Sequence, residues 1–214
     1  MKKHKVISVR NITDSTFVIR LERNNMQFQT GQFVILKNLN SSAKREYSVY
    51  SGENDDYIEV LVREIEGGQV SGKLKRLKPG TEIEVEGPFG FFKFSPEKFS
   101  SQKFLFVATG TGISPFHSFV RTYPGLDYYL MHGVRFKEEA YEHADYNDDK
   151  VALCLSADKG GDFNGRVTDY LFTQKIDKET NCFLCGNSDM IYEAFDILTG
   201  KGVPVSNIYS EVYF

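Results

Sequence analysis

The sequence is short of cysteine, of long apolar runs and of surplus positive charge, and each shortage removes a class of function. It holds three cysteines in 214 residues, whereas a disulfide framework wants a larger, even number. Cys182-Phe183-Leu184-Cys185 spells C-x-x-C, but no second pair exists to complete a four-thiolate zinc or iron–sulfur centre. Cys182 therefore reads as a small apolar residue of a buried strand, and any iron–sulfur centre must sit on another protein. No apolar stretch approaches the roughly 18 residues that a membrane span requires. The opening Met1-Lys2-Lys3-His4-Lys5-Val6 is basic but lacks an apolar segment behind it, so it does not read as a secretory signal. The formal net charge is -3 and the pI is near 5.9, which disfavours a general nucleic-acid binder. His4, His117, His132 and His143 show no metal-ligand spacing, and no metal site is expected. The expectation is a cytoplasmic protein with neither membrane nor nucleic-acid partners.

What is present is 41% hydrophobic residues, enough for one large domain or two small ones with real cores. Two textures divide the chain. Up to about residue 95, short alternating segments are broken by turn signals: Val6 to Ile12, Thr16 to Glu22, Gln32 to Leu36, Glu46 to Tyr50, Tyr57 to Arg63 and Thr81 to Glu86. One short helix fits between Val70 and Leu77. Strands at this spacing predict a small antiparallel β-barrel. From Phe104 onward, buried-looking strands (Phe104 to Ala108, Asp127 to Met131, Val151 to Leu155, Cys182 to Leu184, Ile208 to Val212) alternate with helical stretches. The helical stretches are Pro115 to Arg121, Lys137 to Asp145, Val167 to Phe172 and Asp189 to Leu198. Such alternation predicts an α/β domain with a parallel sheet. The polar segment Ser95 to Lys103 marks the boundary, giving domains 1–98 and 103–214.

Three motifs carry chemistry. Phe104 to Ala108 runs into Thr109-Gly110-Thr111-Gly112-Ile113-Ser114-Pro115, a strand, a glycine-rich turn and a helix start. Ser114 suits the N-cap and Pro115 the first helical position. Glycines let the backbone approach a pyrophosphate, and a helix N-terminus favours its charge. An ordinary tight turn is the plainer explanation of G-x-G alone. Arg45-Glu46-Tyr47-Ser48 puts Arg45 and Tyr47 on one face of a strand, where they could take a phosphate and pack a flat ring. A barrel strand with a surface arginine would look the same. Gly67-Gly68-Gln69-Val70-Ser71-Gly72 again brings glycines and a serine to a helix start, a second anion site or a simple cap.

The order of these elements is more specific than any one of them. R-x-Y-S, then G-x-x-S, then G-T-G-x-x-P, then Cys185-Gly186-Asn187-Ser188-Asp189-Met190, then Glu211-Val212-Tyr213-Phe214 resembles the ferredoxin–NADP reductase family across nearly the whole chain. Gly87-Pro88-Phe89-Gly90 resembles the family's barrel-closing segment. The resemblance implies FAD in the barrel and NADPH, with NADH possible, in the α/β domain. Arg45 would hold the FAD pyrophosphate. Tyr47 would pack on the flavin, Ser48 would hydrogen-bond near its N5, and Val62 would line the pocket. Gly68, Gln69, Val70 and Ser71 would offer backbone amides. Thr109, Gly110, Thr111, Gly112 and Pro115 would receive the dinucleotide, with Thr111 near both cofactors. Cys185, Gly186 and Met190 would lie along the nicotinamide side. Ser48, Cys185 and Glu211 would be the catalytic set, and Tyr213 would cover the flavin. Strand alternation then puts Glu211 and Tyr213 on one face and Val212 and Phe214 on the other.

The 2′-phosphate of NADPH needs cations, and Arg135 and Arg166, with Ser156, are the candidates. Here the chain departs from the family: Ser156-Ala157-Asp158 stands where NADPH-preferring members carry Ser-Arg. Losing an arginine and gaining an acid both weaken attraction for a phosphate, although Lys159 could compensate. Lys73, Lys75, Arg76 and Lys78 form a basic cluster that an acidic ferredoxin or flavodoxin could dock against, unless it is only a solvated helix face. The function implied is an oxidoreductase that passes hydride from NADPH to FAD and single electrons to such a carrier. Two alternatives stay open. One is an NADH-dependent reductase component of an oxygenase or haem-protein system. The other is a flavin-binding interaction module without turnover. The sequence does not specify an oligomeric state.

Overall fold

The computed structural model describes residues 2–37, 43–93 and 102–213. It divides into two compact units, Met1–Lys93 with Ser114–Thr122, and Phe94–Ile113 with Tyr123–Phe214.

The first unit is built on six antiparallel strands: β1 Lys2–Asn11, β2 Thr16–Glu22, β3 Phe33–Lys37, β4 Lys44–Ser48, β5 Tyr57–Arg63 and β6 Glu82–Phe89. Their order is β4-β3-β6-β1-β2-β5. The ends of the sheet meet through a Val49–Val60 bridge, with Tyr50 N–H donating to the Glu59 carbonyl at 2.7 Å, so the sheet closes into the expected barrel. Period two decides what faces in. On β1, His4 and Val6 are buried while Lys3, Lys5 and Ile7 face out. Phe17, Ile19, Leu21, Val34, Leu36, Ile58, Val60, Val62, Ile83 and Val85 fill the interior. Helix α1, Ser71–Lys75, adds Val70 and Leu74 to that core. Burying a leucine side chain is worth about 1.5–3 kcal/mol, which holds a helix too short to stand alone. It is shorter than the expected Val70 to Leu77.

Helix α2, Ser114–Thr122, follows β7 (Phe104–Thr109) in the chain but belongs to the first unit. The His117 ring stacks on Tyr50 at 3.7 Å, its Nδ1–H donates to the Tyr50 carbonyl at 2.7 Å, and Ser118 Oγ–H donates to the Ser51 carbonyl at 2.7 Å. Phe116 and Phe119 pack around Phe92. A 3₁₀ turn, Gly110–Ile113, runs directly into α2. Ser114 is therefore the first helical residue rather than a cap. The expected boundary at 98–103 falls mostly outside the described residues.

The second unit is a parallel sheet of β7 with β8 Tyr128–Val134, β9 Val151–Leu155, β10 Phe163–Asn164, β11 Asn181–Gly186 and β12 Ile208–Val212. Strands β7, β8, β9 and β11 are buried almost end to end, as a sheet covered on both faces requires. Helices α3, Val167–Thr173, and α4, Ser188–Gly200, pack on it through Val167, Leu171, Met190, Ala194 and Leu198. The helix expected over Lys137 to Asp145 is absent. That segment makes 3₁₀ turns at Lys137–Glu139 and His143–Asp145. Between them Glu142 takes a left-handed φ of 49°, and the buried Glu139 carboxylate turns back to accept the Arg135 and Phe136 N–H groups. Both details break helical continuity. The short edge strand β10 has no counterpart in the sequence reading.

Candidate functional site

Strand order locates the principal site. The sheet runs β10-β9-β8-β7-β11-β12. From β7 the chain winds outward through β8 and β9, then returns to β11 on the other side of β7. The C-terminal ends of β7 and β11 therefore flank the point where winding reverses, and ligands of open parallel sheets bind at that point. Backbone meets backbone there. A Cβ on Gly112 would stand 2.3 Å from the Cys185 carbonyl oxygen, and one on Gly186, at φ 135°, would stand 2.3 Å from Thr109 Oγ1. Thr109 Oγ1 also accepts the Asn187 N–H at 2.9 Å. Asn187 caps α4, its side chain accepting from Asp189 N at 2.9 Å and Met190 N at 3.3 Å. Thr109, Gly110, Thr111, Gly112, Cys185 and Gly186 are thus brought together, with Met190 buried just beyond in the first turn of α4. Pro115 is buried within α2.

Register brings in the chain end. Cys185 pairs with Glu211 and Gly186 with Val212, and Tyr213 N–H donates to the Gly186 carbonyl at 2.9 Å. Burial pushes the Cys185 thiol well above its ordinary range, and the Glu211 carboxylate pushes it the same way. The Tyr213 side chain works in the opposite direction. Cys185 is therefore an uncharged, soft contact and not a thiolate nucleophile. Strand register sets Glu211 beside Cys185, and the Tyr213 N–H bond keeps the following residues at the same end of β11. Phe214 lies outside the described residues.

The cation candidates gather at the ends of β8 and β9. The Arg135 carbonyl accepts Ala157 N–H at 3.0 Å, the Val134 carbonyl accepts Ser156 N–H at 3.0 Å, and the Leu155 carbonyl accepts Gly165 N–H at 2.8 Å, so Arg135, Ser156 and Arg166 converge. Arg135 is exposed, its guanidinium 5.4 Å from the Phe136 ring centre. Arg166 makes a 3.6 Å ion pair with Glu193 in which both side chains stay exposed, a contact too weak to hold it. Asp158 accepts Lys137 N–H at 3.2 Å and Lys159 N–H at 2.8 Å, and those two amide contacts hold its carboxyl below the usual range. It thus adds fixed negative charge beside Ser156. Glu139, which shapes the Arg135 loop, was not singled out from the sequence. An acid three residues past a phenylalanine carries no signal until it is seen buried.

In the first unit, Arg45 and Tyr47 lie on β4, Arg45 exposed and Tyr47 half-buried. Burial raises the Tyr47 hydroxyl to about 12, and the charge of Arg45 pulls the other way. Ser48 and Val62 are buried. A cleft of about 510 Å³ lies over the glycine turn, lined by Glu64, Ile65, Gly67, Gly68, Gly72 and Arg76 among others. The turn spends part of what it was expected to offer. Gly68 N–H donates to the Ile65 carbonyl at 2.9 Å, and Ser71 Oγ accepts Ile65 N–H at 3.0 Å. Amides for a ligand therefore begin at Gln69 and run through Val70 and Ser71. Lys75 is paired with Glu64 at 2.6 Å, which leaves Lys73, Arg76 and Lys78 as the exposed cations of the cluster. A cleft with backbone amides, a cation and a neighbouring aromatic strand fits a phosphate-bearing flat cofactor.

Comparison with known proteins agrees with this geometry. Residues 1–94 match the family described as the oxidoreductase FAD-binding domain. The chain is 27% identical to ferredoxin–NADP reductase B of Sorangium cellulosum (strain So ce56), over 98% of this chain and 96% of that protein. It is also 27% identical to the toluate 1,2-dioxygenase electron transfer component of Pseudomonas putida, over 97% of this chain but 66% of that longer protein. A crystal structure of a ferredoxin NADP+ reductase from Neisseria gonorrhoeae with bound FAD and NADP superposes with a TM-score of 0.86 at 23% identity, covering 100% of this chain and 98% of that one. No helix among the described residues is long and apolar enough to cross a membrane.

Proposed function

We propose that the chain, which is similar to ferredoxin–NADP reductases over nearly its whole length, is an FAD-dependent reductase drawing hydride from NADPH and delivering single electrons to a ferredoxin or flavodoxin. The observation that carries the reading is the crossing of Gly112 over Cys185 and of Gly186 over Thr109 at the reversal of strand winding. Only a bare backbone fits there, and the polar and soft groups of Thr109, Cys185 and Glu211 converge on it. When bound, FAD supplies the conversion of a two-electron donor into one-electron transfers.

The residues then have separate tasks. Arg45 and the amides from Gln69 to Ser71 hold the FAD phosphates, Tyr47 packs on the flavin, and Val62 walls the pocket. Ser48 donates a hydrogen bond near flavin N5. Thr109 to Gly112 bind the pyrophosphate of the dinucleotide. Cys185, kept as a neutral thiol, presses on the nicotinamide, Glu211 orients it, and Tyr213 covers the flavin. Arg135, Ser156 and Arg166 take the 2′-phosphate. Lys73, Arg76 and Lys78 receive the acidic carrier. The cytoplasm belongs to this reading, and the three cysteines, all buried and unpaired, suit a reducing compartment.

The test is anaerobic stopped-flow reduction of the FAD-loaded protein by NADPH and by NADH, followed by addition of candidate acceptors. Rapid flavin bleaching with NADPH and reoxidation by ferredoxin or flavodoxin is expected. A protein that never bleaches is a binding module and not a reductase. One observation favours a second reading, an NADH-dependent reductase component of an oxygenase: Asp158 sets a carboxylate beside Ser156. A preference for NADH in the same experiment would select it.

A further inference from the structure

The histidines play no part in the reading above, yet two of them are joined to the glycine-rich turn. Gly110 has a left-handed φ of 54°, and a Cβ there would meet nothing within 4 Å, so conformation and not space demands glycine. That conformation turns the Gly110 carbonyl toward β8, where His132 Nε2 lies 2.9 Å away. His132 is fully buried and sits opposite Ala108 in the strand register. Its other nitrogen, Nδ1, is 2.9 Å from His143 Nε2. Tyr141, also fully buried, packs 5.9 Å from the His132 ring centre, and Tyr146 meets His143 edge-on at 6.1 Å.

The chemistry allows one proton arrangement. A carbonyl only accepts, so His132 Nε2 carries hydrogen. In a neutral ring Nδ1 must then accept, so His143 Nε2 donates. The result is a directed relay, His143 N–H to His132 to the Gly110 carbonyl. A trans peptide points its C=O and N–H in opposite directions. Holding the Gly110 carbonyl against His132 therefore also fixes the orientation of the Gly110–Thr111 peptide plane.

We propose that His132, with its tautomer set by His143, is a positioning residue for dinucleotide binding: it fixes the Gly110–Thr111 peptide so that the turn meets the pyrophosphate in one orientation. The proposal rests on the reading that this turn receives NAD(P)H. It concerns the part that NADH and NADPH share, so loss of His132 affects both equally.

Two measurements test it. In the intact protein, long-range ¹H–¹⁵N spectra of the imidazoles should show His132 as the Nε2–H tautomer at neutral pH, shifting when NADP+ is added while His4 does not. In variants, His132→Phe removes the donor and should raise Kd for NADPH and NADH alike by roughly tenfold, the consequence of an unsatisfied, partly buried carbonyl. FAD content should not change. His132→Gln, which carries a donor at a similar reach, should recover affinity to within about twofold. An Nδ1–H tautomer or an imidazolium at neutral pH overturns the proposal even if the Phe variant fails to fold. So does a folded Phe variant with unchanged affinity, or a Gln variant as weak as the Phe variant. If the unsubstituted protein binds neither nucleotide while His132 keeps the expected tautomer, it is the dinucleotide reading that falls, and the proposal with it.

Discussion

At the scale of single residues, close backbone approaches make a graded prediction. Alanine at Gly112 or Gly186 would drive a Cβ into a carbonyl or a hydroxyl at 2.3 Å, with little room for either to retreat. Alanine at Gly110 would meet open space and bear only the φ penalty. Chemical unfolding should therefore rank Gly110→Ala as the mildest, near 1–2 kcal/mol, with both others at the upper end of 1–3 kcal/mol or beyond. A Gly110 variant less stable than the other two would contradict the geometry. Cys185 supports a second prediction. Its thiol is held well above the ordinary range by burial and by Glu211, so iodoacetamide at pH 8 should label the folded protein slowly at this position. Cys185→Ala and Glu211→Gln should each slow hydride transfer up to ~10²-fold while changing NADPH affinity less, because misplacing a reacting ring costs rate before it costs binding. Rapid single-turnover reduction in both variants would remove these residues from the catalytic set.

At the scale of elements, β8 shows how a buried strand carries a polar residue without loss. His132 is flanked by buried neighbours on both sides and is satisfied at both ring nitrogens. Burial lowers its imidazole from 6.5 to about 3, and His143 adds to the effect. The unfolded chain takes up a proton on His132 below pH 6.5 and the folded chain does not until about 3, so the unfolded state binds more protons across that window. Stability must therefore fall as pH drops from 6.5 toward 3 and level off below it, with a loss on the order of 2 kcal/mol by pH 5. His143, also lowered by burial, contributes in the same direction. Urea unfolding at pH 7 and pH 5 should show an acid-side dependence in His132→Gln that is shallower by about one proton. Equal slopes would mean that His132 titrates normally in the fold. Helix α2 illustrates a different balance. Its buried bonds to the Tyr50 and Ser51 carbonyls outweigh the partly exposed Arg121–Asp55 pair, because exposed ion pairs are worth little.

At the scale of the whole molecule, the first unit should respond to its cofactor by mass action. FAD at about a hundred times its Kd should stabilise the protein by about 2.7 kcal/mol. Arg45→Ala should weaken FAD retention by about 1.5–3 kcal/mol if a charged hydrogen bond to phosphate is lost. Denaturant titrations with and without FAD measure both quantities. A midpoint indifferent to FAD would deny the barrel its cofactor.

The sequence by itself determined the two textures, the strand and helix types, and the order of the glycine-rich and arginine-bearing elements. Period-two alternation, unbroken apolar strands and glycine turns are local properties that a chain displays before it folds. Local reading failed where tertiary contacts overruled it. Lys137 to Asp145 has helical composition, but Glu139 is drawn under its own loop and Glu142 reverses the backbone. Ser71 looks like a cap but accepts a hydrogen bond from the Ile65 N–H instead. The assignment of α2 to the barrel unit, the facing of Cys185 by Glu211 and the relay from His143 to Gly110 join residues between 11 and 67 positions apart. Only tertiary structure decided these, because a hydrogen bond or a stacked ring depends on where strand register and strand order deliver a side chain, and neither is written in the spacing around it.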